Sequence, residues 1–194
     1  MSEHGLYAKD EKCEFNRTYV ELLGYVISPS WIVMDVCKVT AIQGCPTPTK
    51  LKKVQYFLGF ANFYQRFIGD FSTLVQLLTL LTRKDVPFIW NKAMQHAFDS
   101  LKQAFMSAPL LAHFGPRRPF QVKIDASNLA MGPILSQPDD EGTLNIVTYY
   151  SRKFSVLETN YPVYDKELAA IISTFTEWRP YLTGAQRRIQ VVID

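Results

Sequence analysis

The stretch Phe120-Gln-Val-Lys-Ile-Asp125-Ala-Ser alternates apolar and polar residues and delivers a carboxylate at its end. That period is the signature of a half-buried strand. Phe120, Val122 and Ile124 would face a core, which leaves Asp125 on the side of Gln121 and Lys123. Downstream, Tyr164-Asp-Lys-Glu167-Leu-Ala-Ala-Ile-Ile has helical periodicity. Glu167 falls three residues after Tyr164 and four before Ile171, inside the apolar sector, where an uncompensated carboxylate is costly. Asp165 and Glu177 read instead as solvated helix charges. A third acid, Asp194, closes the strand-like run Ile189-Gln-Val-Val-Ile-Asp194. Taken alone, Asp125 also fits a solvated strand end. Taken together, three acids from two strands and a helix can be crowded only with divalent cations between them, the ligand set of two-metal phosphodiester hydrolysis.

Working outward, Ala130–Gln137 and Asn145–Ser151 read as further strands, separated by the turn Pro138-Asp-Asp-Glu-Gly142. The helix expected from about Pro162 to Tyr181 puts Tyr164, Leu168, Ile171, Ile172, Phe175 and Trp178 on a broad apolar face. Upstream, the breaker-rich passage from Ser107 to Pro119 is the best linker. Before it the grammar is helical. Pro46-Thr-Pro-Thr is expected to start a helix with Leu51, Val54, Phe57, Leu58 and Ala61 on one face. A short apolar helix follows around Leu74–Leu81, and a longer one at Lys92–Met106 carries Ala93, Ala97, Phe98, Leu101, Ala104 and Phe105. The first 35 or so residues carry short β-type runs, notably Tyr19 to Ser28, with a turn at Ser28-Pro29-Ser30.

With 194 residues, 47% hydrophobic and 20% charged, the composition is that of one or two globular domains. The net charge of +3 is uneven: residues 1–118 carry 14 Lys and Arg against 9 acids, the remainder 7 against 9. A basic part beside an acidic one suits a nucleic-acid arm joined to a metal site, and is also within ordinary fluctuation. Cys13, Cys37 and Cys45 lack metal-ligand spacing, and their odd number argues against a disulfide framework, hence for a reducing, intracellular compartment, cytoplasmic or nuclear. His4, His96 and His113 are scattered. No apolar run approaches a membrane span, and the N-terminus has no apolar signal core. The pair Asp139-Asp140 sits in a turn and no Tyr-x-Asp-Asp motif occurs, so this chain is not expected to polymerise DNA alone.

The segments Ile124-Asp125-Ala-Ser-Asn, Ile134-Leu-Ser-Gln, Tyr150-Ser-Arg-Lys, Asn160-Tyr-Pro, Asp165-Lys-Glu-Leu and Trp178-Arg-Pro-Tyr-Leu resemble the ribonuclease H region of Ty3/gypsy-type retrotransposon polyproteins. Tyr7-Ala-Lys, Glu11-Lys-Cys-Glu-Phe, Leu23-Gly-Tyr-Val-Ile-Ser, Pro46-Thr-Pro-Thr, Phe57-Leu-Gly-Phe-Ala-Asn-Phe-Tyr and Ser107-Ala-Pro resemble the reverse transcriptase just before it. The resemblance implies an α+β chain in two pieces. Residues 1–112 would be a palm remnant plus helical thumb/connection, and residues 113–194 a ribonuclease H-like mixed sheet with its helix, truncated after the fourth strand.

The same resemblance implies that Asp125, Glu167 and Asp194 hold two Mg²⁺ or Mn²⁺ ions about 4 Å apart for endonucleolytic cleavage of RNA in RNA–DNA hybrids. Leu23, Gly24 and Tyr25 resemble the primer grip, though a plain hairpin with a core tyrosine has the same text. Lys50, Lys52, Lys53 and Arg66 would track duplex phosphates or form a solvated face, with Phe60, Phe63, Tyr64 and Phe67 mainly core. Partners would be an RNA–DNA hybrid and the missing polyprotein segments, with no membrane. Against the family, the chain begins inside the palm and stops before the last strand and fourth acid. Trp31 replaces a usual glycine, Cys45 a tryptophan, Pro133 an alanine and Pro180 a histidine. Pro133 is expected to remove a ladder donor and Pro180 to end its helix early. A catalytically inactive relic that binds nucleic acid or a protein partner is the alternative.

Overall fold

A computed structural model describes residue 9, residue 11 and residues 13–193. Its first sheet is built from β1 (Val20–Leu22), β2 (Tyr25–Ile27), β3 (Trp31–Met34) and the distant β4 (Leu111–Ala112), all antiparallel and in that order. A two-residue turn closes β1 on β2 with φ of 54° at Leu23 and 81° at Gly24. Two successive positive φ values match the right-handed twist of the strands, and Gly24 supplies one without a Cβ penalty. At the next turn the Ser28 Oγ accepts from the N–H groups of Ser30 and Trp31. Trp31 fits as the first residue of β3, opposite Ala112.

Helix α1 (Val36–Gln43) follows, capped by the Asp35 carboxylate, which accepts from the Cys37 N–H at 2.8 Å. The helix expected to start at Pro46 begins later: α2 spans Leu51–Phe63. The residue before a proline is disfavoured in helical geometry, so Pro46 and Pro48 oppose a helix at Cys45 and Thr47, and residues 45–49 belong to no helix or strand. The expected helix at 74–81 is two short pieces, α3 (Phe71–Leu74) and α4 (Gln76–Leu80), broken at Val75. Helix α5 (Lys92–Met106) has the expected bounds, with the Asn91 side chain accepting from the Met94 N–H. Val54, Phe57, Ala61, Leu78, Phe98, Leu101 and Phe105 interlock beneath the sheet with Met34 and Leu111. A fully buried side chain of this kind stabilises by about 1.5–3 kcal/mol.

The second sheet has the order β10-β5-β7-β8. Its strands are β5 (Phe120–Ile124), β7 (Ile134–Pro138), β8 (Leu144–Tyr149) and β10 (Ile189–Ile193). β5, β7 and β8 run antiparallel in turn, and β10 returns parallel to β5 after α6 (Val163–Glu177) and α7 (Arg179–Leu182). A small ladder pairs β6 (Ala130–Met131) with β9 (Arg152–Lys153). The strand expected at 130–137 is therefore split at Gly132-Pro133, which leaves Pro133 outside both ladders and removes the anticipated lost donor. Pro180 sits in the first turn of α7, after α6 has stopped at Glu177, where a proline costs no hydrogen bond.

Half of the wide apolar face expected of α6 packs on the second core, through Ile171, Phe175 and Trp178. Tyr164, Leu168 and Ile172 are 70%, 55% and 59% exposed, while Ala170, Thr174 and Trp178 are buried. Ala170 and Thr174 bring the helix close to the sheet between those larger side chains. Thr174 can be buried because its hydroxyl donates to the Ala170 carbonyl at 2.6 Å. The two hydrophobic clusters meet where β8 lies beside β4 and Tyr149 and Ile146 reach the first core. The buried Gln137 amide binds the linker, donating to the Gly115 carbonyl and accepting from its N–H.

Candidate active site and nucleic-acid face

Alternation buries Phe120, Val122 and Ile124 on the α6 side of the sheet, and Asp125 leaves the end of β5 exposed. Glu167 is half-buried, one turn before Ala170 and Thr174, on the face of α6 that packs on β5. In the parallel β10–β5 ladder Ile193 pairs with Ile124, the residues just before Asp194 and Asp125. Asp194 itself, like His4, lies outside the described residues. Two of the three expected acids thus come from elements packed on each other. Among the described residues no group of three His, Cys, Asp or Glu side chains is spaced to hold a metal ion.

A different carboxylate stands near Asp125. Asp70 precedes α3 with φ of 51°, and its Oδ1 lies where a Cβ on Gly132 would project, so any larger residue there requires that oxygen to move. Burial, and then the charge of Asp125, pushes the Asp70 carboxyl above its ordinary range. Asp70 and Asp125 together line two openings. One of about 80 Å³ is shared with Lys123, Gly132 and Ile134, and one of about 210 Å³ with Thr73, Ser127 and Ala130. Hard oxygen donors crowded this way suit a divalent cation such as Mg²⁺ or Mn²⁺. Sequence reading missed Asp70. Its only local signal is an Asp in a left-handed turn, and its neighbour is far away along the chain.

The Leu23-Gly24 tip is braced from below. Tyr25 stacks on Phe63 and Phe67 at 5.4 and 5.7 Å, donates its hydroxyl to the Phe63 carbonyl, and is pushed above its ordinary pKa by burial. The Tyr64 hydroxyl donates to the Gly24 carbonyl at 3.4 Å. Tyr25 is therefore a brace, and Leu23 is the exposed end of the turn. Lys50, Lys52 and Lys53 are exposed at the start of α2. Arg66 turns inward: its Nε is buried without a partner and its guanidinium lies 6.0 Å over Phe67. Phe63, expected in the core, is 49% exposed; with Lys52, Tyr56 (77%) and the open Gly59 it forms a stripe along one face of α2. The spacing 52, 56, 59, 63 was legible as one helix face.

A family described as "RNase H-like domain found in reverse transcriptase" matches residues 90–191. The transposon Tf2-3 and Tf2-4 polyproteins of Schizosaccharomyces pombe (strain 972 / ATCC 24843) are each 33% identical over 194 residues, all of this chain and 15% of the polyprotein. The chain therefore spans a small part of those relatives. Among solved structures, the foamy viral protease-reverse transcriptase in complex with dsDNA gives a TM-score of 0.77 at 22% identity. That match covers 91% of this chain and 37% of that one. The same viral protein in complex with RNA/DNA hybrid gives 0.75 at 22% identity, covering 91% and 24%. These two likenesses speak for the fold.

Proposed function

Because this chain belongs to the RNase H-like domain family found in reverse transcriptases, we propose that it serves a retroelement polyprotein by cutting the RNA strand of RNA–DNA hybrids in a Mg²⁺- or Mn²⁺-dependent endonucleolytic reaction. The observation that supports this reading is that α6, which carries Glu167, packs against β5, the strand that leads into Asp125. Asp125 and Glu167, with Asp194 by resemblance, are the residues that would hold the ions. Bound divalent cations supply an activated water and steady the leaving 3′-oxygen. The protein's own part is to fix these carboxylates on rigid elements, so that no reorganisation is needed when charge develops at the phosphate. Selection of RNA would come from 2′-hydroxyl contacts.

Lys50, Lys52 and Lys53, with the Tyr56–Phe63 stripe and the Leu23–Tyr25 turn, are the proposed duplex-tracking face; Arg66 braces it from inside. The wider partners are the remaining polyprotein segments, and the compartment is intracellular, cytoplasmic or nuclear. No helix among the described residues is long and apolar enough to cross a membrane. The test is cleavage of an RNA-labelled hybrid by the purified protein in Mg²⁺ and then Mn²⁺, beside Asp125→Asn and Glu167→Gln. Metal-dependent cutting that either substitution abolishes is expected. A folded protein that binds the hybrid and never cuts it sinks the catalytic reading. The exposed α2 stripe would then support the second one, a non-catalytic nucleic-acid-binding module.

A further inference from the structure

We propose that Asp70 and Thr73, on the turn that opens α3, read a ribose 2′-hydroxyl of the RNA strand beside Asp125: the Thr73 hydroxyl donates to it and the Asp70 carboxylate accepts from it. This rests on the nucleic-acid reading above and names the residues that would tell RNA from DNA. Asp70, Thr73, Asp125, Ser127 and Ala130 line one opening of about 210 Å³. At a liquid share of about 30 Å³ per water, that is room for about seven waters, enough for one sugar ring. The opening is shared between the helical part and the second sheet, and both sides are fixed. Helix α3 packs on β9, and the Ser72 N–H donates to the buried Ser151 hydroxyl at 2.9 Å. The Gly132 N–H donates to the Asp125 carbonyl at 2.8 Å, and the Asp70 Oδ1 lies against the same glycine.

The hydrogen-bond capacity of the lining decides what fits. Ser127 has none to spare: its hydroxyl donates to the Ala130 carbonyl at 2.9 Å and accepts from the N–H groups of Leu129 and Ala130. Thr73 is different. Thr40, Thr79, Thr174 and Thr176 each donate to the carbonyl four residues back. For Thr73 the residue four back is Gly69, which precedes α3. Its hydroxyl has no partner among the described residues, so this donor is available to a ligand. The Thr73 N–H donates to the Asp70 carbonyl at 2.9 Å, which holds the two residues as one unit. The Asp70 and Asp125 carboxylates can only accept when ionised.

A phosphate in this opening meets two like charges. A nucleobase finds no aromatic face among the lining residues on which to stack. A hydroxyl is neutral and both donates and accepts, so it satisfies the Thr73 donor and a carboxylate at once. Asp125 is already proposed as an ion ligand, which leaves Asp70 as the acceptor. Every residue of an RNA strand carries such a hydroxyl and DNA has none. A site that bonds a substrate hydroxyl discriminates against the analogue that lacks it. The ligand class is therefore the ribose of a strand crossing Asp125.

Binding of an RNA–DNA hybrid and of a DNA duplex of the same sequence by the whole chain tests this. It is measured in Mg²⁺ in the Asp125→Asn background, after melting curves establish that each variant is folded. Thr73→Val keeps the outline of the side chain and loses its hydroxyl. It should weaken hybrid binding about threefold to tenfold, the loss of one hydrogen bond, and leave duplex binding unchanged; Thr73→Ser should restore the hybrid value. Asp70→Gly, which accommodates the positive φ, should lower the ratio of hybrid to duplex affinity in the same way. A single 2′-deoxy residue moved along the RNA strand should cost affinity at one position, and that cost should vanish in Thr73→Val. A ratio that Thr73→Val or Asp70→Gly leaves unchanged overturns the inference, as does a loss shared equally by both substrates, a 2′-deoxy cost that persists in Thr73→Val, or a protein with no preference for the hybrid. The cleavage reading is judged separately, by cutting in the unsubstituted protein.

Discussion

Replacing Gly132 by alanine should destabilise the chain through one contact, and the cost should disappear when Asp70 is shortened. The added Cβ would occupy the position of the Asp70 Oδ1. The Asp70 backbone is held in the left-handed region, its carbonyl accepting from the N–H groups of Thr73 and Leu74 at the start of α3, so the strain falls first on its carboxyl. Its carboxyl must move off its rotamer or the α3 region must shift. Overpacking of this kind costs about 1–3 kcal/mol. At this chain length that corresponds to about 2–4 °C in Tm per kcal/mol. In an Asp70→Gly background the oxygen is gone and the positive φ is tolerated, so Gly132→Ala should cost no more than about 0.5 kcal/mol. The assay is a double-mutant cycle by urea unfolding, followed by tryptophan fluorescence and circular dichroism to check that the transitions coincide. A cost for Gly132→Ala that is the same in both backgrounds would refute the contact between the α3 turn and the second sheet.

The Glu158 carboxyl is held down to about 2, from an ordinary 4.5, by hydrogen bonds from Arg152 and from the Ser155 N–H. A depressed folded value means that its stabilisation is present above pH 4.5 and is lost as pH falls toward 2; Glu158→Gln should flatten the urea midpoint over that window. Gln137→Leu removes donors to the Gly115 and Arg118 carbonyls and the acceptor for the Gly115 N–H. It should cost about 1–3 kcal/mol for the buried groups left unpaired and open residues 113–119 to limited proteolysis. Lys52→Gln should reduce the salt slope of hybrid binding by about one without altering thermal stability. A reduced melting temperature with an unchanged slope would move Lys52 out of the nucleic-acid face.

Periodicity made α5 and β5 legible in the sequence, because both carry a clean face and an unambiguous boundary, Asn91 for one and the linker for the other. The half-burial of Glu167 was legible from its place in an apolar sector, where a carboxylate is costly. Helix α1 was not. Val36, Val39, Thr40 and Ile42 are β-branched and weak helix formers, and only the flanking Asp35 and Gly44 caps signal it. The buried face of α6 was half legible: Ile171, Phe175 and Trp178 pack as their spacing implied, while Ala170 and Thr174, rather than Tyr164, Leu168 and Ile172, complete the contact with β5. Asp70 was beyond reach for another reason. Its neighbour, Asp125, is set by how two clusters dock, and no local pattern encodes that.

The parallel pairing of β5 with β10 has a consequence for the order of events during synthesis. Phe120 meets Ile189, 69 positions later in the chain, whereas α2 to α5 pack largely with near neighbours in sequence. Local contacts form early and distant ones late, because the intervening loop must first be closed. As the chain leaves the ribosome the helices can collapse while β5 still shows a bare edge, a template for pairing with other nascent chains. The strand that ends at Asp125 is thus completed only when β10 emerges.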